Sequence, residues 1–316
     1  MGTWFSHIKQ YARAVKSMTS SSILALIVTY HPDIKAVERL IQRLEQQVEW
    51  ILVIDNATPG FNIDLPEQAA LKTEIVVNPE NFGVATAYNQ GIKLAKARNA
   101  THIILFDQDS FPAENMVSTL AHSMNQYNAK QLQVAAAGPM YLDVKGQLSS
   151  PFVRLTGIRL ERIACNEENT VDVDHLISSG CLIDLRAIDQ IGEFTDSLFI
   201  DYVDTEWCWR ARRHQLRLLG VGAAKMHHNL GEAHFMVLGK PCVLHSPFRL
   251  YYQIRNQWWM ILQPWVGWKW RTMDVIRSVK IFVAISVFAP NRRKRIQYMC
   301  KGFLHALLSR MNKLQD

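Results

Sequence analysis

The chain has 316 residues, 48% hydrophobic and 20% charged, a composition that excludes a largely disordered protein and suits one large α/β domain with an appendage. Its net charge of +7 is uneven: residues 269–316 carry eleven Lys/Arg against Asp274 and Asp316, or +9, which leaves about −2 for the rest. A near-neutral body with a basic tail implies an anionic surface as partner, either membrane or nucleic acid.

Residues 1–20 mix Trp4, Phe5, Tyr11 and Val15 with Lys9, Arg13 and Lys16, as an amphipathic helix would, before a break at Ser20-Ser21-Ser22. The apolar run at 23–29 reads as a strand buried on both faces. Helical periodicity follows over 34–48. A second strand spans 50–54 and ends at Asp55-Asn56. A third, at 75–77, ends at Asn78. A helix is expected over 83–98 and a fourth strand over 102–106, ending at Asp107-Gln108-Asp109. This alternation predicts right-handed βαβ units and a mostly parallel central sheet flanked by helices. Ligands of such sheets bind at the carboxyl ends of the strands. Polar residues stand at each of those ends here: Thr29-Tyr30, Asp55-Asn56, Asn78 and Asp107/Asp109.

Beyond residue 110 the pattern is mixed, with a helix near 113–126 and strands near 133–142 and 180–185. Tryptophans at 258, 259, 265, 268 and 270 adjoin the basic tail. Cysteines at 165, 181, 208, 242 and 300 show no CxxC spacing, which argues against a disulfide framework or zinc site and for a reducing compartment. The longest apolar stretch near the C-terminus, 281–290, is too short to cross a bilayer.

Asp107-Gln-Asp109 pairs two carboxylates after a buried strand, where they suit a hard cation, Mg²⁺ or Mn²⁺, bridging diphosphate oxygens. Turn-forming aspartates ahead of a helix are the structural alternative. Asn81-Phe-Gly83-Val-Ala85 opens a helix with small residues, which serves either close helix–sheet packing or an anion at a helix N-terminus. It is not GxGxxG, so a nicotinamide-dependent enzyme is not expected. Asp201-Tyr-Val-Asp204-Thr-Glu206 concentrates three acids, from which a general base can be drawn. Glu206 and Arg210, four apart, also make a structural ion pair. His227-His228 supplies imidazoles for a metal or phosphate. From His245 through Arg249 to Arg255-Asn256, basic and phenolic groups alternate. The Arg255 fork suits diphosphate oxygens, or belongs to a solvent-facing helix side.

Together these residues resemble family 2 glycosyltransferases of the GT-A fold, and most of all the bacterial rhamnosyltransferase branch, over residues 23–259. The resemblance rests on Thr29-Tyr30-His-Pro32, Val53-Ile-Asp55-Asn56, Asn81-x-Gly83-x-Ala85, Phe106-Asp-Gln-Asp-Ser110 and Ser178-Ser-Gly180. It continues through Phe199-Ile-Asp-Tyr-Val-Asp-Thr-Glu-Trp207, His228-x-x-Gly231 and Tyr251-Tyr-x-x-Arg-Asn256. It implies a GT-A catalytic domain over 21–257, an N-terminal segment over 1–20 and a Trp-rich, basic helical region over 258–316. It implies Thr29, Tyr30, Asp55, Asn56, Asn81, Gly83, Ala85, Asp107 and Arg255 around the nucleotide. Asp109 and Asp107, with His228, would hold the metal. Asp204 would be the base of an inverting transfer. Ser179, Gly180, Asp201 and Glu206 would stand on the acceptor side. Many relatives carry Glu-Asp-x-Asp where this chain has Val203-Asp204-Thr205-Glu206.

The implied sugar donor is dTDP-L-rhamnose, with UDP-galactofuranose or a UDP-hexose as rival. The implied acceptor is a saccharide or polyprenyl-linked saccharide in O-antigen-like, lipopolysaccharide-type synthesis. Tryptophans beside Lys/Arg and an apolar side over 271–288 fit a lipid interface better than nucleic acid, so no nucleic-acid partner is expected. The expected location is the cytoplasm, peripheral on the inner face of the plasma membrane. A homo-oligomer is left open. A membrane-associated, non-catalytic nucleotide-binding protein is the alternative outside the enzyme class.

Overall fold

Strand β1 (Ile23–Thr29) lies at the centre of the sheet and pairs in parallel with both β2 (Trp50–Asp55) and β4 (His102–Asp107), while β3 (Thr73–Val77) extends the sheet beyond β2. Successive residues of β1 enter opposite cores. Leu24 and Leu26 pack with Ala85, Tyr88, Ile92 and Ala95 of α3 (Val84–Ala97). Ile23, Ala25 and Ile27 pack with Val37, Leu40, Ile41 and Leu44 of α1 (Ile34–Leu44). Burial on both faces explains why these strands read as continuous apolar runs. Each of the Leu, Ile and Val side chains among them contributes about 1.5–3 kcal/mol through burial. A short α2 (Glu67–Lys72) leads into β3. Gly91 lets α3 approach β1, because a Cβ there would collide with the Leu26 side chain.

This computed structural model describes residues 21–142, 148–150, 152–228, 234–237 and 240–314. The expected amphipathic segment at 1–20 lies outside the described residues. After β4 come β5 (Ser110–Pro112), α4 (Met116–Ala129), β6 (Val134–Leu142) and β7 (Leu148–Ser150). A hairpin of β8 (Phe152–Thr156) and β9 (Arg159–Ile163) precedes β10 (Thr170–Val173) and β11 (Leu182–Asp184). Helices α5 (Leu185–Ile191) and α6 (Val203–Arg213) then lead to β12 (Arg217–His228).

Among the described residues the main sheet has ten strands, with order β10-β12-β6-β11-β4-β1-β2-β3 and with β5 and β7 pairing on β12 and β6. Its N-terminal half is parallel, as expected. The other half is mixed: β11 runs antiparallel to β4 and β6, β10 antiparallel to β12, and β12 parallel to β6.

A second hairpin, β13 (His234–Val237) and β14 (Lys240–Val243), precedes three C-terminal helices. Helix α7 (Pro247–Leu262) starts with Pro247 after Ser246, whose hydroxyl accepts the Arg249 N–H, and runs unbroken through residue 257. It packs against α8 (Trp268–Phe288) and α9 (Arg292–Leu307). No described helix is long and apolar enough to cross a membrane.

Candidate active site

The ends of β2, β1 and β4 lie side by side, with Thr29 in register with Asp55 and Val28 with Asp107. They floor a cleft of about 830 Å³, larger than two other surface clefts of about 440 and 400 Å³. Thr29, Tyr30, Asn56, Asn81, Gly83, Asp107 and Asp109 reach it from the sheet edge, and Asp201 and Asp204 from the segment that opens α6. Residues far apart in sequence thus bring four carboxylates to one cavity.

The segment 198–202 that borders this cleft has an unusual backbone. Phe199, Asp201 and Tyr202 have φ of +65°, +61° and +63°. The Ile200 N–H bonds the Leu198 carbonyl at 2.8 Å, closing a tight turn about Phe199 at ψ −63°. Non-glycine residues held there cost on the order of 1–3 kcal/mol each. Asn256 offsets that cost by sharing its amide N–H groups among the carbonyls of Leu198, Ile200 and Asp201 at 2.8–2.9 Å. The Arg255 guanidinium bonds the carbonyls of Ser197 (3.1 Å), Leu198 (2.9 Å) and Asn312, and packs over the Tyr252 ring. From the other side, the Val84 N–H donates to the Phe199 carbonyl at 2.7 Å. Gly83 (φ +87°) is required here, since a Cβ would stand 2.5 Å from the Phe199 ring and 2.6 Å from its carbonyl.

Within this frame Asp204 is held by several groups. Its Oδ1 accepts the Thr205 N–H at 2.7 Å and the Thr205 hydroxyl at 3.3 Å, with His175 Nε2 3.7 Å away. Its Oδ2 accepts the Ser178 N–H at 3.3 Å. Burial raises the Asp204 pKa, but the hydrogen bond and charge of His175 and the N–H groups of Thr205 and Ser178 outweigh it. The net position is below the usual carboxylate range. Asp201 goes the other way: burial pushes it up despite Arg249 and His245. The two carboxylates therefore differ in proton affinity, with Asp204 the more readily ionised relative to its ordinary value.

Several expected roles are not what the structure places. Arg255 is fully buried and holds backbone carbonyls, so it does not reach the cleft. Arg249 does, 3.3 Å from Asp201. Glu206 is buried and bonded by Arg210 at 2.7 and 2.8 Å, a structural ion pair rather than an acceptor-side group. Asp55 is fully buried behind Thr29. Its carboxylate is taken up by the Thr29 hydroxyl (2.7 Å) and the N–H (2.6 Å) and hydroxyl (2.8 Å) of Thr58, and so sets the floor without lining it. Ala85 is buried, and with Val84 its N–H faces the Phe199 carbonyl, which turns the α3 N-terminus to packing and not to an anion.

Ser179 and Gly180 are also set back. The Ser179 hydroxyl lies 2.5 Å from that of Ser110 and accepts the Asp107 N–H at 3.3 Å. At Gly180 (φ +72°) a Cβ would meet Pro139 and Met226. Ile177 and Ser178 line the cleft instead. The His228 backbone pairs with Ser110, beside Asp109, and its side chain lies outside the described residues.

His175, Ser178, Tyr88 and Arg249 were missed as site residues by the sequence reading. A signal existed for Arg249: it shares a helix face with Gln253, four residues on, and both line the cleft.

An α/β sheet with carboxylates at its strand ends, facing one cleft, is the arrangement that the resemblance to GT-A glycosyltransferases implies. A family model described as glycosyl transferase family 2 matches residues 25–192. The chain is 31% identical over 293 residues to the dTDP-rhamnosyl transferase RfbF of Shigella flexneri, covering 91% of this chain and 95% of that protein. It is 20% identical over 302 residues to the low-salt glycan biosynthesis hexosyltransferase Agl10 of Haloferax volcanii, covering 92% of each. Its fold is similar to that of GalNAc-T7, solved with UDP, GalNAc and Mn²⁺. The TM-score is 0.54 and the identity 14%, over 91% of this chain and 56% of that one. The chain belongs to glycosyl transferase family 2, as its motifs implied, and is a glycosyltransferase.

Arg255→Ala is expected to lower stability by about 3 kcal/mol, because several buried carbonyls lose their donor. Nucleotide affinity, measured on the folded fraction, should remain within about threefold of wild type, since the side chain does not line the cleft. Chemical denaturation and nucleotide titration check the two halves separately.

Proposed function

We propose that the enzyme transfers L-rhamnose from dTDP-L-rhamnose to a saccharide or lipid-linked saccharide of a cell-surface polysaccharide, by single displacement with inversion. The observation that carries this reading is Asp204, kept ionised by its neighbours and facing the cleft that Asp107 and Asp109 also line. The kinship to a protein named dTDP-rhamnosyl transferase supports the donor. The acceptor hydroxyl oxygen attacks the anomeric carbon as its proton passes to Asp204 Oδ2. The bond from that carbon to the diphosphate oxygen breaks, and its electron pair leaves with dTDP. Arg249, bonded to Asp201, lines the same cleft as a cation.

Among the described residues no cluster of three ligating side chains exists. Two neighbouring carboxylates still fit Mg²⁺ or Mn²⁺, which take their remaining ligands from phosphates and water. Asp107 and Asp109 would hold the ion, with His228 at the adjoining strand position. When bound, it would neutralise charge growing on the diphosphate.

The C-terminal helices support attachment to the cytoplasmic face of the membrane. Trp268, Ile276, Val279, Val283 and Val287 are exposed along one side of α8. Exposed Arg292, Arg293 and Lys294 follow at the start of α9. Apolar residues beside cations suit an anionic lipid interface, where each cation contributes on the order of 1 kcal/mol.

In a thermal-shift experiment, dTDP and dTDP-L-rhamnose should raise Tm only with Mg²⁺ or Mn²⁺, and Asp109→Ala should abolish the shift. Asp204→Asn should keep the shift and lose turnover by about 10²–10⁴-fold. Preference for UDP would move the donor to a hexose or galactofuranose. No response to any nucleotide from folded protein would contradict the proposed donor. For the membrane, flotation with phosphatidylglycerol vesicles should recover the protein, less at high salt and less for Val279→Glu/Val283→Glu. Equal failure with anionic and neutral vesicles would contradict attachment.

A further inference from the structure

His175 follows β10 on the short loop that leads to Ser178, and its backbone bridges Val153. The side chain is half-buried and is not among the residues lining the cleft. Its Nε2 lies 3.1 Å from the Thr205 hydroxyl and 3.7 Å from Asp204 Oδ1. With the Thr205 hydroxyl donating to Asp204 Oδ1 at 3.3 Å, its oxygen is free to accept the imidazole N–H when Nε2 carries the proton. Oδ1 also takes the Thr205 N–H, whereas Oδ2 has the longer 3.3 Å bond from the Ser178 N–H. The two oxygens are therefore unequal, with two hydrogen-bond donors on Oδ1, backed by His175 Nε2 at 3.7 Å, and one donor on Oδ2.

We propose that His175 is a positioning residue for Asp204: with Thr205 it fixes Oδ1 from behind the cleft and leaves Oδ2 to receive the acceptor's proton. This rests on the reading of Asp204 as the base. Among the groups around the carboxylate, His175 is the basic side chain that approaches it, at 3.7 Å. Tyr88 of α3, Tyr141 of β6, Cys181 beside β11 and Cys208 of α6 are all pushed up by burial and stay neutral through the working range. Asp201 is an anion when ionised, and Arg249 and His245 act on Asp201. Without His175, burial and Asp201 would act on Asp204 against only two backbone N–H groups and the Thr205 hydroxyl. Its pKa would then rise.

The sign follows directly. Asp204 must be ionised to accept a proton, so its pKa sets the acid limb of the kcat/KM profile, and a higher pKa moves that limb to higher pH. The test follows dTDP release from dTDP-L-rhamnose, or UDP release from a UDP-hexose if that is the sugar nucleotide wild type turns over. Wild type, His175→Ala, His175→Gln and Asp204→Asn are compared, with Tm measured for each. His175→Ala should move the limb up by about one pH unit or more and regain most of its rate above the limb. His175→Gln, which keeps an N–H for Thr205 without the charge, should shift less and carries the test alone if the alanine variant does not fold. A purely structural role would lower the rate at every pH and leave the limb in place. An unmoved limb in both variants, with Asp204→Asn inactive, overturns the proposal alone. Wild-type turnover by Asp204→Asn overturns the base assignment and this proposal with it.

Discussion

The site depends on the contact between the Arg255-Asn256 pair of α7 and the carbonyls of residues 197–201. Three non-glycine residues with positive φ do not persist in so short a segment without external support. Here the support comes from two directions. Asn256 and Arg255 hold the carbonyls from the C-terminal side, and the Val84 N–H holds the Phe199 carbonyl from the α3 side. The strain turns Asp201 and Asp204 toward the same cavity. Tyr202, between them, is tied by its hydroxyl to buried Asp274 of α8 at 2.9 Å. The C-terminal helices therefore hold the segment that carries Asp201 and leads into Asp204. One Asp274 oxygen is buried without a hydrogen-bond partner, and burial pushes its pKa up, so this tie is made in an environment that disfavours charge.

Electrostatics distinguish the two edges of the cleft. At the sheet edge, Asp107 and Asp109 suit a cation and the diphosphate it would accompany. At the α6 edge, one carboxylate is held ionised and the other is pushed toward its protonated form. Pairs of acids whose surroundings drive their proton affinities apart are a common means of assigning acid and base roles. Arg249 binds the carboxylate with the raised pKa, which leaves Asp204 to His175, Thr205 and Ser178.

Much of the fold was legible because the N-terminal strands are buried on both faces and end in polar residues, a pattern that a parallel sheet imposes. Strands β1, β2 and β4 and helix α3 stand within a residue or two of their expected positions. The mixed half was less legible: β11 has only three residues, and β12 is interrupted by register shifts and glycines. In the site, sequence identified the right segments more readily than the right side chains. Ser178 faces the cleft and Ser179 does not. Arg249 faces it and Arg255 does not. Asp204 faces it, while Glu206, two residues on, turns to Arg210. One step along a loop or helix changes which way a side chain points, and only the packing around it fixes the choice. His175 carries no local pattern, and its role depends on the approach of α6 to the loop after β10.

The central claim, that Asp204 is a general base for direct attack on the sugar, fixes the stereochemistry of the product. The measurement that tests it most directly is the anomeric configuration of the newly formed linkage, read by NMR on product made from a donor of known configuration. The account predicts the configuration opposite to that of the donor. A product that retains the donor's configuration would contradict it, since a single displacement assisted by one base cannot give that outcome.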